Sequence, residues 1–220
     1  MNKKPKLLDL FCCAGGATKG YQRAGFYVVG VDINKQPHYC GDEFYQADAL
    51  EFDVSGYDVI HASPPCQKYT RMQHIHKNKV EHPDLIEPIR QRLIKSGKPF
   101  IIENVVGAPL RIDLMLCGTM FNLRVPKHRI FESNIPMPLS PATCNHQDVY
   151  DPFHGGEMAR NERVKFSAVM GIDWFMTRTE VREAIPPAYT EFIGKHLIQI
   201  MQATPEQVKH GRGVFGEGKT

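Results

Sequence analysis

Nothing in these 220 residues reads as a membrane anchor, since no apolar run approaches the roughly 20 residues needed to span a bilayer. The start, Met1-Asn2-Lys3-Lys4-Pro5-Lys6, is basic, but the apolar stretch after it stops at Asp9, too short for a secretory signal. The six cysteines (Cys12, Cys13, Cys40, Cys66, Cys117 and Cys144) show no CxxC spacing and no disulfide rhythm, so free thiols in a reducing cytoplasm are expected. Charge of one sign is scarce too. The formal net charge is only +3, so nucleic-acid binding has to be argued from where the charge lies, not from its total. No internal repeat is visible, and no low-complexity segment apart from a polar, glycine-containing tail over 203–220, which is expected to be flexible. What remains, 42% hydrophobic and 23% charged, suits one soluble domain with a substantial core over 1–202.

Hydrophobic patterning orders that domain. Lys6 to Phe11, Phe26 to Asp32, Phe44 to Asp48, Tyr57 to Ala62 and Lys98 to Val105 read as strands, several nearly continuous in apolar residues as buried parallel strands are. Val125 to Glu132 reads as a sixth. Ala17 to Ala24 reads as a helix, Asn34 to Gly41 as the opening of another, and Leu85, Ile86, Ile89, Leu93 and Ile94 recur at helical spacing after Pro83. Pro187 to Gln202 is an amphipathic helix. Gln67 to His82 is a loop, and Asn134 to Arg163, rich in proline, glycine and histidine, carries no regular pattern. Alternation of strands and helices predicts an α/β fold with a doubly wound, mostly parallel sheet.

Candidate chemistry gathers at the predicted strand ends, where open α/β sheets hold their ligands. After Tyr57 to Ala62 comes Ser63-Pro64-Pro65-Cys66-Gln67, in which two prolines stop the ladder and present a thiol. Taken alone, Cys66 reads more readily as a buried free cysteine than as a catalytic thiol. Cys12-Cys13-Ala14-Gly15-Gly16 is a small-residue turn between a strand and a helix, Asp32 ends the second strand, and Asp48 follows the third. Singly, each acid reads as well as a helix cap or a solvated aspartate. Glu103-Asn104 ends the fifth strand, and a glutamate desolvated there is held protonated or serves as a structural acid.

Together and in this order these segments resemble the motifs of the cytosine-5 DNA methyltransferases. Leu8-Asp9-Leu10-Phe11-Cys12-Cys13-Ala14-Gly15-Gly16 resembles the DLFxGxGG motif, with Cys13 where the family's first glycine stands. The Pro65-Cys66 pair resembles the catalytic motif, and Glu103-Asn104-Val105 matches the acid motif. Val125-Pro126-Lys127-His128-Arg129-Ile130-Phe131 partly matches a QxRxR motif, and Ile185 to Thr190 resembles the last motif, which packs beside the first. The resemblance covers about residues 7–202.

It implies a Rossmann-like fold that binds S-adenosylmethionine (SAM) and transfers a methyl group to carbon 5 of cytosine in DNA. Cys66, Glu103 and Arg129 would be catalytic. The cofactor would lie against Phe11, Cys12, Ala14, Gly15, Gly16, Asp32, Ile33, Asp48, Ala49, Pro64, Tyr189 and Thr190. DNA would meet Gln67, Lys68, Arg71, Lys77, Lys79, Arg124, Lys127 and His128. The family's recognition domain is reduced here to 134–163, so either a short target or a partner subunit or homodimer is implied, in the cytoplasm of a bacterial or phage-infected cell. Amino-group methyltransferases, with an aromatic residue where Cys66 stands, RNA or free-nucleotide methylases, and an inactive DNA-binding module are the rival readings. Cys144-Asn145-His146, with His154 beyond, fits no zinc spacing and lacks a clear fourth ligand, so no metal is expected.

Overall fold

The computed structural model describes residues 3–69, 83–150 and 162–202. Seven strands form one sheet in the order β3-β2-β1-β4-β5-β7-β6. These are β1 (Lys6–Leu10), β2 (Tyr27–Asp32), β3 (Glu43–Gln46), β4 (Val59–Ala62), β5 (Phe100–Asn104), β6 (Leu114–Leu116) and β7 (Arg129–Ser133). β1 to β5 pair in parallel, and β7 inserts antiparallel between β5 and β6. The doubly wound expectation therefore holds, with one reversal at the β7 edge. Among the described residues, no helix is long and apolar enough to cross a membrane.

The continuous apolar runs exist because both sheet faces are covered. Side chains alternate across the pleat. Leu8, Leu10, Val29, Val31, Ile60 and Ile102 point to one face, under Ile86, Ile89 and Leu93 of α2 (Ile86–Ser96). Leu7, Val28, Val59 and Ile101 point to the other. That second face is covered by α1 (Gly16–Ala24) and by α5 (Pro187–Gln202), which contributes Tyr189, Ile193 and Leu197. A satellite cluster joins Phe166 and Met170, on and just after α3 (Glu162–Val169), to Val181 of α4 (Arg178–Glu183) and to Ala14. Trp174 fastens that cluster to the first turn by donating its indole N–H to the Ala14 carbonyl at 3.1 Å.

Several sequence expectations change. Asn34 to Gly41 is a loop, not a helix. Asp32 captures the Asn34 amide at 2.9 Å in a local turn, and Pro37 removes a donor a helix would need. The sixth predicted strand is the seventh in the chain. The true β6 escapes the pattern because it has three residues, the middle one (Met115) exposed. Residues 134–150 are irregular as expected, whereas Arg163 belongs to α3. The tail over 203–220, His154 and most of the Gln67 to His82 loop lie outside the described residues. Within that loop, Gln67–Tyr69 makes one 3₁₀ turn.

α5 lies against α1 because small residues let the two backbones approach. A Cβ at Gly20 would fall on the Pro187 carbonyl and the Thr190 hydroxyl, and one at Gly194 would sit 2.7 Å from the Ala24 methyl. Thr190 donates its hydroxyl to the Ala17 carbonyl at 2.8 Å across this contact. Gly20→Ala is expected to destabilise the protein by about 1–3 kcal/mol, the usual cost of overpacking. Urea denaturation checks this, and unchanged stability would show that the helices can slide apart.

Candidate active site

A cavity of ≈ 350 Å³ opens at the carboxyl edge of the parallel strands, where β1 and β4 lie side by side and the strand order reverses. Phe11, Cys12, Cys13 and Ala14 come from the turn after β1, and Asp32 and Ile33 from the end of β2. Ser63 to Gln67 come from the end of β4 and Glu103 from β5. Arg129 arrives by a different route. Because β7 runs antiparallel to β5, its first residue, not its last, sits at this edge. Glu183, Ala184 and Ile185 close the cavity from the far end of the chain.

The β1 turn is tightly coiled. Phe11 and Cys13 hold left-handed backbone angles (φ 60° and 45°), as does Gly15 (φ 92°). Cys13 thus adopts the conformation that glycine takes without steric cost and that costs an L-residue roughly 1–2 kcal/mol. The Asp32 carboxylate accepts the Cys13 amide at 3.1 Å and helps hold it there. Gly15 has no room for a side chain, since a Cβ would lie 2.6 Å from Cys40 Sγ.

The other half of the cavity is built around a buried ion pair. Arg129 Nε lies 2.9 Å from Glu103 Oε1, and both side chains are largely out of water. That N–H is not aimed at the oxygen, which keeps a free acceptor site. Burial pushes the Glu103 carboxyl up, against the pull of Arg129 and a hydrogen bond from Ser63. Behind Ser63 runs a buried chain of polar groups: Ser63 Oγ to His61 Nε2 at 2.9 Å, and His61 Nδ1 to Tyr21 Oη at 2.9 Å. Burial drives His61 down to about 3, so its ring is neutral, donating from one nitrogen and accepting at the other. Such a chain can reverse its direction, so it can satisfy Glu103 both ionised and protonated.

Cys66 is half-buried beside this pair. Burial raises its thiol and the Arg129 charge opposes that rise. Asn104 steadies the proline turn by donating its side-chain amide to the Pro64 carbonyl at 2.9 Å. The cavity also holds an acid that the strand-end pattern did not single out. Asp9 is buried on β1, accepts the Thr18 hydroxyl at 2.5 Å through one oxygen, and leaves the other without a partner. Burial, opposed by Thr18 and reinforced by the charges of Glu103 and Asp32, raises its carboxyl to about 7. Glu183 is likewise raised, chiefly by burial. Asp9 was visible inside the first motif. Glu183 was not, because only tertiary contact brings α4 here.

Other expected site residues fall elsewhere. Asp48 is exposed and caps the Leu50 amide at 2.8 Å, and neither it nor Ala49 lines the cavity. Tyr189 and Thr190 are buried on the α1–α5 side. The Tyr189 hydroxyl donates to the Lys127 carbonyl at 2.5 Å. The expectation for Lys127 itself needs revising. Its ammonium turns inward to the Arg182 carbonyl at 2.6 Å, and burial lowers its pKa strongly, so it is not presented to a phosphate. Lys68 pairs with Asp84 at 3.2 Å, and Arg124 donates to the Asp148 carbonyl at 2.9 Å. Arg71, Lys77 and Lys79 lie outside the described residues. His128 meets Cys117, Cys144 and His146, which supplies the ligands that the Cys144–His146 spacing lacked and reopens the expectation of no metal.

No family profile matches the chain. A candidate DNA modification methyltransferase from an Escherichia coli prophage superposes with a TM-score of 0.65 at 14% identity, covering 91% of this chain and all of that one. Entamoeba histolytica methyltransferase EhMeth superposes with a TM-score of 0.55 at 10% identity, covering 92% of this chain and 100% of its own. The chain has the fold of these methyltransferases. Among curated proteins, the type II methyltransferase M1.HphI of Haemophilus parahaemolyticus is 28% identical over 118 residues, 44% of this chain. The chain spans about a third (32%) of that relative's length.

Two outcomes follow for this methyltransferase-fold cavity. A carboxyl raised in the folded state gives stability that is complete below its ordinary 3.8 and lost as pH rises through about 7. Asp9→Asn keeps an acceptor for Thr18 but cannot ionise, so its stability relative to wild type should grow from about pH 4 to about pH 9. The ceiling is about 4 kcal/mol, at about 1.4 kcal/mol per pH unit. Denaturation at both pH values measures it, and a pH-independent difference would mean that Asp9 titrates normally. Separately, Arg129→Ala removes the cation beside Cys66. Alkylation of Cys66, followed by mass spectrometry, should slow at neutral pH and its pH midpoint should move upward.

Proposed function

We propose that this chain is a SAM-dependent DNA cytosine-5 methyltransferase. The observation that carries the reading is that Cys66, Glu103 and Arg129 wall the same cavity as the glycine turn and Asp32. The fold supports the methyltransferase part, as does the name of the Haemophilus type II methyltransferase, and the DNA-modification name borne by the Escherichia coli protein supports the substrate class.

The cavity suits SAM by its chemistry. SAM carries ammonium and sulfonium charges, and Asp9, Asp32 and Glu183 line the space, one Asp9 oxygen lacking a partner. Asp32 would hold the ribose hydroxyls, and the turn at Ala14 and Gly16, which lines the cavity, would meet the amino-acid end. When bound, SAM supplies an electrophilic methyl group.

The chain's own residues would do the rest. The Cys66 thiolate forms a bond to carbon 6 of cytosine while ring nitrogen 3 takes a proton from Glu103, which burial keeps ready to hold one. The resulting enamine makes carbon 5 nucleophilic. Once carbon 5 is methylated and its proton lost to a base, the sulfur–carbon bond breaks, ring nitrogen 3 gives its proton back to Glu103, and the thiolate returns. Arg129 stabilises the thiolate and keeps Glu103 in place. Such chemistry on a ring carbon needs a thiol where amino-group methyltransferases carry an aromatic residue. The short interval 134–163 points to a target of roughly two to four base pairs, since each bidentate base contact supplies only about 1–3 kcal/mol of discrimination, or to recognition completed by a second subunit.

Tritiated SAM offered with duplex DNA, RNA and free cytidylate tests the reading. Transfer to DNA cytosine is expected, with Cys66→Ser binding SAM but losing transfer and failing to form the covalent adduct that wild type makes with 5-fluorocytosine DNA. Comparable methylation by Cys66→Ser sinks the mechanism, and transfer only to RNA or cytidylate overturns the substrate.

A further inference from the structure

A second cluster of reactive side chains stands beside the cavity and takes no part in the chemistry above. The β6–β7 register sets Leu116 opposite Arg129, so the next residues outward, Cys117 and His128, come face to face. The irregular segment after β7 then returns and lays Cys144 and His146 on that pair. Cys117 Sγ is 3.5 Å from His146 Nε2, and Cys144 Sγ is 3.7 Å from His128 Nε2. All four ligand atoms lie within 4.8 Å of one another.

The two sulfur–nitrogen distances match the edges of a metal tetrahedron. Zinc bonds of about 2.3 Å to sulfur and 2.0–2.1 Å to nitrogen put the sulfur–nitrogen edge near 3.6 Å. Two thiols and two imidazoles make a closed, soft donor set that selects zinc over magnesium or calcium. The His128 ring also hydrogen-bonds the Pro126 backbone, which, lacking an N–H, can only accept through its carbonyl. Metal-binding histidines are held by this kind of outer contact. Thr119 contributes further, with its hydroxyl 3.3 Å from Cys117 Sγ and accepting the Asn145 amide at 3.2 Å.

The segment needs such a fastening. Residues 134–150 form no helix or strand, and 139–148 are exposed throughout, so they bury little that could hold them. We propose that Cys117, His128, Cys144 and His146 bind one zinc ion that staples the 140–148 segment to the edge of the sheet, directly before Arg129. Given the function proposed above, the staple would hold the recognition segment against the catalytic edge. The zinc site itself does not depend on that reading.

The test measures metal on the full chain purified without a histidine tag from zinc-supplemented medium. Elemental analysis should find about one zinc per chain, as a closed four-ligand site holds. Cobalt exchanged into the site should give the intense visible bands of tetrahedral thiolate coordination. Cys144→Ser and His146→Ala lie at the surface end of the cluster and should each lose most of the metal. If they fail to fold, a strong chelator added to wild type should remove the zinc and expose the 134–150 segment to protease, and added zinc should restore protection. Wild type that carries no zinc and shows no cobalt–thiolate absorption overturns the site, as does zinc content unchanged in both variants. None of these readouts uses DNA or SAM, so failure here leaves the methyltransferase reading standing, and the converse also holds.

Discussion

The buried pair of Glu103 and Arg129 is the interaction on which the rest of the site depends. Taking both charges out of water is costly, and the cost is met only if the geometry is held by the surrounding structure. Here two strands of opposite direction hold it. β5 ends at the edge where β7 begins, and their antiparallel register brings the last residues of one to the first residues of the other. A uniformly parallel sheet would place Arg129 at the opposite edge, far from the thiol whose charge it stabilises.

Around that pair the cavity divides its electrostatics. The β1–β2 side is acidic, with Asp9, Asp32 and Glu183, while the β4–β7 side pairs a thiol and a glutamate with one arginine. Burial pushes Asp9 and Glu183 toward their neutral forms, in Glu183 against the pull of Arg182 and Lys127. A cationic ligand would reverse that, drawing both toward ionisation and gaining from it. The strained turn at Phe11 and Cys13 fits the same picture, since backbone held in unfavourable angles persists where the surroundings fix it, as they do at ligand sites.

Support for this edge comes from distant parts of the chain. α5 returns from the end of the described residues to lock α1 through Gly20 and Gly194, and Tyr189 on that helix holds the Lys127 carbonyl just before β7. The same short stretch carries His128, so the approach to Arg129 is gripped from the helical layer on one side and, in the zinc proposal, from the irregular segment on the other.

By itself the sequence determined the strands that carry the chemistry, because continuous apolar runs ending in Asp32, Ser63-Pro64-Pro65-Cys66 and Glu103-Asn104 mark buried parallel strands and their carboxyl ends. It also determined the closing helix, whose apolar spacing spans Pro187–Gln202 as observed. These are local properties, legible from periodicity and from the fixed geometry of proline. Tertiary structure alone decided which groups meet. β6 was too short to show a period, yet its register with β7 brings Cys117 to His128. Lys127 looked like a surface cation until packing turned it inward, and only the structure shows that Asp48, expected beside the cofactor, is exposed and caps the Leu50 amide. Burial, register and chain return are sums over residues far apart in sequence, so no local pattern encodes them.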